Sequence, residues 1–432
     1  MGGEAMNQTY TRRAERAAII GGSMAGLFSA LLLCRAGWTV EIFERIGSEL
    51  AGRGAGIVTH PELFDVIDQA GIDRRTAEVG VAVEGRRVLA HDGSVAGELE
   101  LPQVLTSWGH LYALLRKALP AEVYRHGRDL RRVEERNDSV IAHFADGSAT
   151  EVDLLIGADG IFSTVRAQYA PTVAPAYVGY VAWRGLVDEA DLSLATRRDI
   201  CDHFVFSLPD GEQMLGYPVA GTSEAMERGR RRFNFVWYRP AAADGTLRHL
   251  LTDIDGVSHT LSIPPNKIRP EVTAALRDDA RRLLAPQFAE VVEKTTQPFI
   301  QAIQDLETPR MALGPRTVIL GDAAFVARPH VGAGVTKAAG DALALRDALR
   351  DETSIEAAVK RFESRRLPIG RAIIARARHL GAYMQAQIDT AEDRAAAEAH
   401  RSPEAVLAET ASMTFLASEN ADLKHASEIV GG

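Results

Sequence analysis

The apolar run Ala17-Ala18-Ile19-Ile20 passes straight into Gly21-Gly22-Ser23-Met24-Ala25-Gly26, and few folds accommodate that junction. A short apolar run meeting glycine is the pattern of a buried parallel strand that turns sharply at its end. Leu27, Ala30, Leu31 and Cys34 then recur at helical spacing, and Ala36-Gly37 closes the helix where glycine takes a left-handed cap. Trp38 to Glu44, with Val40 and Ile42 on one face, is the second strand of a βαβ unit. In such a unit Gly21 permits the tight turn, position 23 lets the backbone approach a pyrophosphate, and Gly26 lets helix and strand pack closely. Ser23 stands at the middle glycine position; it keeps the N–H and adds a hydroxyl. Glu44 ends the second strand, where an acidic side chain accepts hydrogen bonds from the ribose of adenosine. The competing reading is a glycine-tolerant turn and an unrelated surface glutamate.

Two later segments repeat the pattern of an apolar strand running into Gly and Asp. Val152 to Ile156 leads into Gly157-Ala158-Asp159-Gly160 and on to Ser163 and Arg166, and Thr317 to Leu320 leads into Gly321-Asp322. Each sets a carboxylate at the C-terminal edge of a strand, where open α/β sheets bind ligands. The loop Arg328-Pro329-His330-Val331-Gly332-Ala333-Gly334 follows, and Val335 to Leu349 resumes helical periodicity. Gly332 and Gly334 bring bare N–H groups to a helix N-terminus, a setting for an anionic or electron-rich group. One adenosine does not account for three such motifs; a long cofactor lying along the sheet edge does. Between the last two motifs, residues 177–240 alternate aromatic and β-branched residues and predict an antiparallel sheet. From about residue 341 the chain is helical in character, punctuated by Pro368 and Pro403, and Ala391 to His400 reads as a solvated helix face.

Composition removes other classes. The chain has 432 residues, room for about three units of ordinary domain size, with 46% hydrophobic and 25% charged residues. The net charge of -9 gives no electrostatic reason for a nucleic-acid partner. Two cysteines, Cys34 and Cys201, are too few for a disulfide framework and fit a reducing, cytoplasmic setting. Residues 1–14 read as a disordered leader rather than a secretory signal, and the longest apolar stretch, Leu27 to Cys34, is too short to span a membrane. No histidine or cysteine spacing suggests a metal site.

Gly21 to Gly26 with Glu44, Gly157-Ala158-Asp159-Gly160 with Arg166, and Gly321-Asp322 followed by Pro329 and Gly334 resemble, in order and spacing, the three flavin motifs of the para-hydroxybenzoate hydroxylase family of FAD-dependent aromatic hydroxylases. The resemblance covers most of residues 15–350 and extends to Gly179-Tyr180-Val181, Trp183-Arg184-Gly185, Tyr217-Pro218, Phe233-Asn234-Phe235 and Trp237-Tyr238 in the substrate half. It implies an α/β fold with a Rossmann-like FAD domain, an inserted, mainly antiparallel substrate sheet and a helical C-terminal region. The expected boundaries are 15–84, 101–176 and 300–345 for the FAD domain, 85–100 and 177–299 for the substrate sheet, and 346–432 for the helical region.

The implied reaction is hydroxylation of a hydroxylated pyridine or related aromatic ring in aromatic catabolism, with NADH or NADPH and dioxygen, through a flavin C4a-hydroperoxide. By the same resemblance the turn of Gly21, Ser23, Met24, Ala25 and Gly26 meets the pyrophosphate of FAD, Glu44 holds the adenosine ribose and Arg45 lies near the adenine end. Asp159 and Arg166 belong to a segment shared with the pyridine nucleotide, Asp322 holds the ribityl chain, and Pro329, Gly332, Ala333 and Gly334 approach the isoalloxazine. Trp108 stands where many members carry an arginine. His330 is the candidate to move a proton or orient a ring hydroxyl, against a backbone-bonded loop histidine. Tyr217 is a candidate partner of a ring oxygen, against a tyrosine satisfied within the sheet. Arg184 is a candidate for an anionic substrate, against a structural ion pair. His203 and Trp237 are further pocket candidates. A homodimer is left open. The alternatives in function are an FAD dehydrogenase or reductase, or a flavoprotein without catalysis.

Overall fold

The computed structural model describes residues 14–50 and 56–416. The leader expected over residues 1–14 therefore lies almost wholly outside the described residues, as does the end of the helical region beyond residue 416.

The first apolar run forms the strand Arg16–Ile20 at the centre of a five-stranded sheet whose pairs are all parallel. Its neighbours are Leu154–Gly157 on one side and Thr39–Glu44 on the other, with Thr317–Ile319 and Tyr124–His126 at the edges. Ala17, Ala18, Ile19 and Ile20 are buried, as expected of a strand covered on both faces. The helices Met24–Arg35 and Gly334–Asp351 pack against each other over this sheet. Strands far apart in sequence thus deliver the three glycine motifs to one edge.

An eight-stranded sheet forms the second body. Its order is Phe325–Val326, Phe299–Glu307, Ala176–Asp188, Arg232–Pro240, Gln213–Val219, His203–Ser207, Gly85–Leu89 and Val95–Leu99. All neighbours are antiparallel except His203–Ser207 with Gly85–Leu89. Because side chains alternate across a strand, the sheet has two distinct faces. On the outer face Val181, Trp183, Val205, Met214, Phe233, Phe235 and Trp237 share a core with Leu276, Ala280, Phe288 and Val291 of the helices Pro270–Leu283 and Pro286–Lys294. On the inner face Tyr180, Ala182, Phe204, Phe206, Tyr217, Val236 and Tyr238 pack with Val58, Leu105 and Tyr383.

Three expectations change. Phe299–Glu307 pairs with Ala176–Asp188, so the large sheet continues past the boundary placed at 299. Pro368 does not interrupt the helix Ile355–Gly381; burial of Phe362, Ile373 and Ile374 on either side outweighs the hydrogen bond that proline forfeits. The C-terminal region is not a separate body either, since Ala382, Met384, Ala397 and Val406 complete the inner-face core. Among the described residues no helix is long and apolar enough to cross a membrane.

Candidate active site

The three motifs meet by backbone contact. Gly21 donates its N–H to Phe43 O (2.9 Å), Ala158 to Ile20 O (2.7 Å) and Leu320 to Gly157 O (3.0 Å). Gly21 has φ +104°, and a Cβ there would stand 2.3 Å from Ala158 O. A Cβ on Gly26 would stand 2.0 Å from Gly21 O, and one on Gly22 would meet the Tyr124 hydroxyl at 2.0 Å. These glycines are required by the close packing of one motif on another. Ser23 precedes the helix and its hydroxyl makes no capping bond, while Met24 and Ala25 are buried in the first turn.

Beside this turn lies a cleft of about 210 Å³ lined by Gly21, Gly22, Ser23, Glu44, Arg45, Asp159 and Phe162, among others. Glu44 is buried; its two carboxylate oxygens accept from Gly22 N (2.9 Å) and Ile46 N (2.9 Å). Each oxygen retains a second lone pair, so the carboxylate is held rigidly and can still accept from a ligand hydroxyl. Arg45 is exposed at the rim. Asp159 accepts from the Ser163 hydroxyl (2.5 Å) and from Thr164 N (2.7 Å) and Val165 N (3.2 Å), capping the helix Thr164–Tyr169. Loss of hydration raises its pKa, and those hydrogen bonds oppose the rise. Arg166 is buried and donates to Ile161 O, Ala323 O and Val173 O. It ties the second motif to the third and offers the cleft no free guanidinium edge at those nitrogens.

Asp322 stands differently. It is exposed on the third motif, crowding by protein raises its pKa, and among the described residues it has no hydrogen-bond partner. It is a free acceptor on a braced loop. The brace was not foreseen: Lys337 Nζ donates to Gly321 O (2.7 Å), Gly321 N donates to Asp341 Oδ2 (3.0 Å), and Arg366 Nε donates to Asp341 Oδ1 (2.6 Å). Lys337 and Asp341 are buried. The one sequence signal was a Lys and an Asp four apart on an otherwise small, apolar helix face.

Pro329–Val331 forms a single turn of 3₁₀ helix, Gly332 takes φ +63° against Ala411, and Ala333 precedes the helix that begins at Gly334. Gly334 is exposed and a Cβ on it would meet nothing within 4 Å, so this helix N-terminus opens onto free space. A glycine cradle, a fixed and a free carboxylate and an open helix N-terminus along one edge fit the groups of FAD.

The inner face of the large sheet lies against the same loop. His330 is buried; its Nε2 is 2.8 Å from the Tyr180 hydroxyl, and the Tyr238 ring packs edge-on with centroids 4.3 Å apart. Burial, with Arg328 and Arg184 nearby, pushes its pKa down to about 3, so the imidazole is neutral at ordinary pH. Its Nδ1 is buried without a partner among the described residues. Arg184 is buried on the inner face with no ion pair among the described residues and with Nε unpartnered; the structural ion pair weighed for it is absent there. The hydroxyls of Tyr217 and Tyr238 also lack partners among the described residues. Burial raises both phenols, with Arg184 opposing, and Tyr238 is pushed up to about 12, so both are neutral donors. Asn234, which sequence reasoning did not select, is buried on this face with Nδ2 unpartnered.

His203 and Trp237 are not brought to this place. Trp237 is in the outer-face core with the Arg239 guanidinium 4.4 Å from its ring centroid. His203 alternates with Phe204 and lies near Glu84, 3.9 Å away, its pKa lowered by burial and by Arg87. Strand alternation, which the motif reading did not phase, separates both from Tyr217.

A family model described as FAD binding domain-like matches residues 177–305. The 2,6-dihydroxypyridine 3-monooxygenase of Paenarthrobacter nicotinovorans is 30% identical over 86% of this chain and 92% of that protein. The 3-amino-4-hydroxybenzoate 2-monooxygenase of Streptomyces cremeus is 31% identical over 84% of this chain and 86% of that one. Among solved structures, 2,6-dihydroxypyridine-3-hydroxylase from Arthrobacter nicotinovorans superposes with a TM-score of 0.80 at 29% identity, covering 86% of this chain and 93% of that chain. Klebsiella pneumoniae HpxO complexed with FAD and uric acid shares the fold, with a TM-score of 0.72 at 22% identity, covering 92% and 93%. At this identity and coverage the chain belongs to the FAD-dependent aromatic hydroxylases, which are monooxygenases.

Proposed function

We propose that this enzyme hydroxylates an electron-rich, hydroxylated aromatic ring, a hydroxypyridine foremost, on the inner face of the large sheet beside His330. The observation that carries the reading is Arg184: a buried guanidinium with no carboxylate partner among the described residues, set among polar atoms of Tyr217, Tyr238 and His330 that lack partners there too. A buried cation left unpaired is costly, and an anionic ring oxygen resolves that cost. A ring hydroxyl held in its ionised form is also a stronger nucleophile toward activated oxygen, so binding and chemistry call for the same charge.

FAD, when bound, supplies the two-electron chemistry that couples NAD(P)H oxidation to activation of dioxygen. Glu44, Asp322 and the glycine turns hold it, and the N-terminus at Gly334 offers its N–H groups to electron-rich atoms. Arg184 binds the ring oxyanion and keeps it ionised. Tyr217, neutral and buried, donates to a ring oxygen and orients the ring. His330 stays neutral and exchanges a hydrogen bond at Nδ1; in the tautomer in which Tyr180 donates to Nε2, Nδ1 carries the proton and donates. Phe204, Phe206, Val58 and Leu215 keep water from the ring.

The test is a screen of the purified FAD enzyme with 2,6-dihydroxypyridine, 6-hydroxynicotinate, 3-amino-4-hydroxybenzoate and salicylate, following NADH and NADPH oxidation, product and hydrogen peroxide under labelled dioxygen. Ring-stimulated oxidation with one labelled atom in a pyridine product is the expected result. Efficient turnover without dioxygen would assign a dehydrogenase instead, and stimulation by the benzoates alone would overturn the pyridine preference.

A further inference from the structure

Among the unpartnered groups of the inner face, Asn234 is the one whose orientation the backbone dictates. Its Oδ1 accepts the Gly56 N–H at 3.1 Å. Turning the amide over would set an NH₂ against that N–H, donor against donor, so the assignment of oxygen and nitrogen is fixed by chemistry. Nδ2 is consequently the free end, and it is buried without a partner among the described residues, in a residue 1% exposed. A Cβ on Gly56 would lie 2.3 Å from the Tyr217 hydroxyl and 2.5 Å from Asn234 Nδ2, so both polar atoms border the same point, which glycine alone leaves clear. In the antiparallel register Asn234 pairs with Tyr217 on one side and with Leu186 on the other, two positions along from Arg184 on the same face. An unmade hydrogen bond on a buried donor calls for an explanation, and here the donor stands beside the cation that the proposed function assigns to the ring.

We infer that Asn234 is a specificity-determining residue of this pocket: its Nδ2–H donates to a carbonyl or anionic oxygen on the ring, and selects rings with an acceptor there over rings with an amino group. This rests on the reading of the inner face as the ring site, and it narrows the substrate class to oxygen-substituted rings, including the oxo tautomers of hydroxypyridines. It also couples the strand Gly56–Val58 to the ring, since one amide bonds the Gly56 N–H through oxygen and the ring through nitrogen. Amides suit such sites because the mismatched partner leaves two donors facing each other, and that discrimination is far larger than a pocket shape alone provides.

Asn234→Asp tests it by exchanging the donor for an acceptor of nearly the same shape while keeping an oxygen for Gly56. The readout is the dissociation constant from perturbation of the flavin spectrum in the FAD enzyme, for 2,6-dihydroxypyridine and 2,6-diaminopyridine side by side. The wild type is expected to favour the dihydroxy ring, and the variant to shift the ratio of the two constants toward the diamine by roughly 100-fold, as a reversed buried hydrogen bond does. FAD affinity stays as it was. Asn234→Leu, which removes the donor without supplying an acceptor, is expected to weaken the dihydroxy ring by about tenfold and leave the diamine little changed. An equal change for both rings, or none, in a folded holoenzyme overturns the role of Asn234 and leaves the ring site standing. A wild-type enzyme that binds neither ring overturns the pyridine site itself and the inference with it.

Discussion

The glycine-built edge and the inner sheet face are made by opposite means. At the edge the backbone does the work: Gly21, Gly22 and Gly26 are compressed against carbonyls and a tyrosine, and Glu44, Asp159 and Arg166 are already engaged with main-chain or hydroxyl groups. On the sheet face the backbone is ordinary ladder, and the side chains carry unmet hydrogen bonds at Arg184, Asn234 and His330. On the proposed function the first is a rigid socket for a group that stays, the second a set of open valences for a ring that comes and goes. A satisfied site tolerates almost no added volume, whereas an unsatisfied one is sensitive to the sign and direction of each polar group.

The largest expected effect is at the socket. In Gly21→Ala the new Cβ meets Ala158 O at 2.3 Å, at a φ of +104° that itself costs an L residue about 1–2 kcal/mol. The variant should purify without flavin, read as loss of the flavin absorbance from the protein peak; full flavin occupancy would break the account of the edge as backbone-built. Next is Arg184→Met, which removes the charge at similar length. Ring affinity should fall by about 30- to 4,000-fold, the range for losing one partner of a buried charged hydrogen bond, while FAD affinity is unchanged. If flavin retention falls as well, the two regions are less separable than drawn.

A smaller effect concerns acid. His330 has its pKa depressed in the fold to about 3, below the ordinary value of an unfolded histidine. The unfolded chain binds the extra proton first, so this residue's contribution to stability is complete above roughly pH 6.5 and declines as pH falls toward 3, by at most about tenfold in the unfolding constant per pH unit. In a denaturant series across that window, His330→Asn should lose less stability on acidification than the wild type. The smallest change is expected from Trp237→Phe. It should lower stability by about 1–2 kcal/mol through lost packing on the outer face and leave ring affinity within about twofold. A clear loss of ring affinity would mean that the sheet does not divide the two faces as described.

The same contrast explains what could be read in the sequence. The socket was legible because close backbone approach demands glycine, and the demand leaves Gly21, Gly157 and Gly321 at the ends of apolar runs. The sheet face was legible only as a region. In Arg232–Pro240 both faces are buried, so Phe233, Phe235 and Trp237 look no different in sequence from Tyr238 on the other side, and no polar alternation marks which set meets a ring. Tyr217 and Arg184 were selected with His203 and Trp237, and only strand phase separates them. Asn234 was invisible as a donor because its orientation depends on Gly56, far away in the chain. The Lys337, Asp341 and Arg366 brace likewise exists only once two helices pack, and the long helix through Pro368 is held by tertiary burial.

That brace bears on how the protein is made. Asp322 and the loop that carries it emerge late in synthesis, and Arg366, which locks the loop through Asp341, emerges later still. The nascent chain can form the strand, turn and helix at its start long before, but the central strand then lacks its distant neighbour Leu154–Gly157, on which Thr317–Ile319 pairs in turn. Contacts of such separation close slowly, and until they close the apolar edge of that strand has nothing beside it. The socket is therefore complete only once residues from the far end of the chain have been made, so a chain truncated before Arg366 would carry the first glycine motif without the brace of the third.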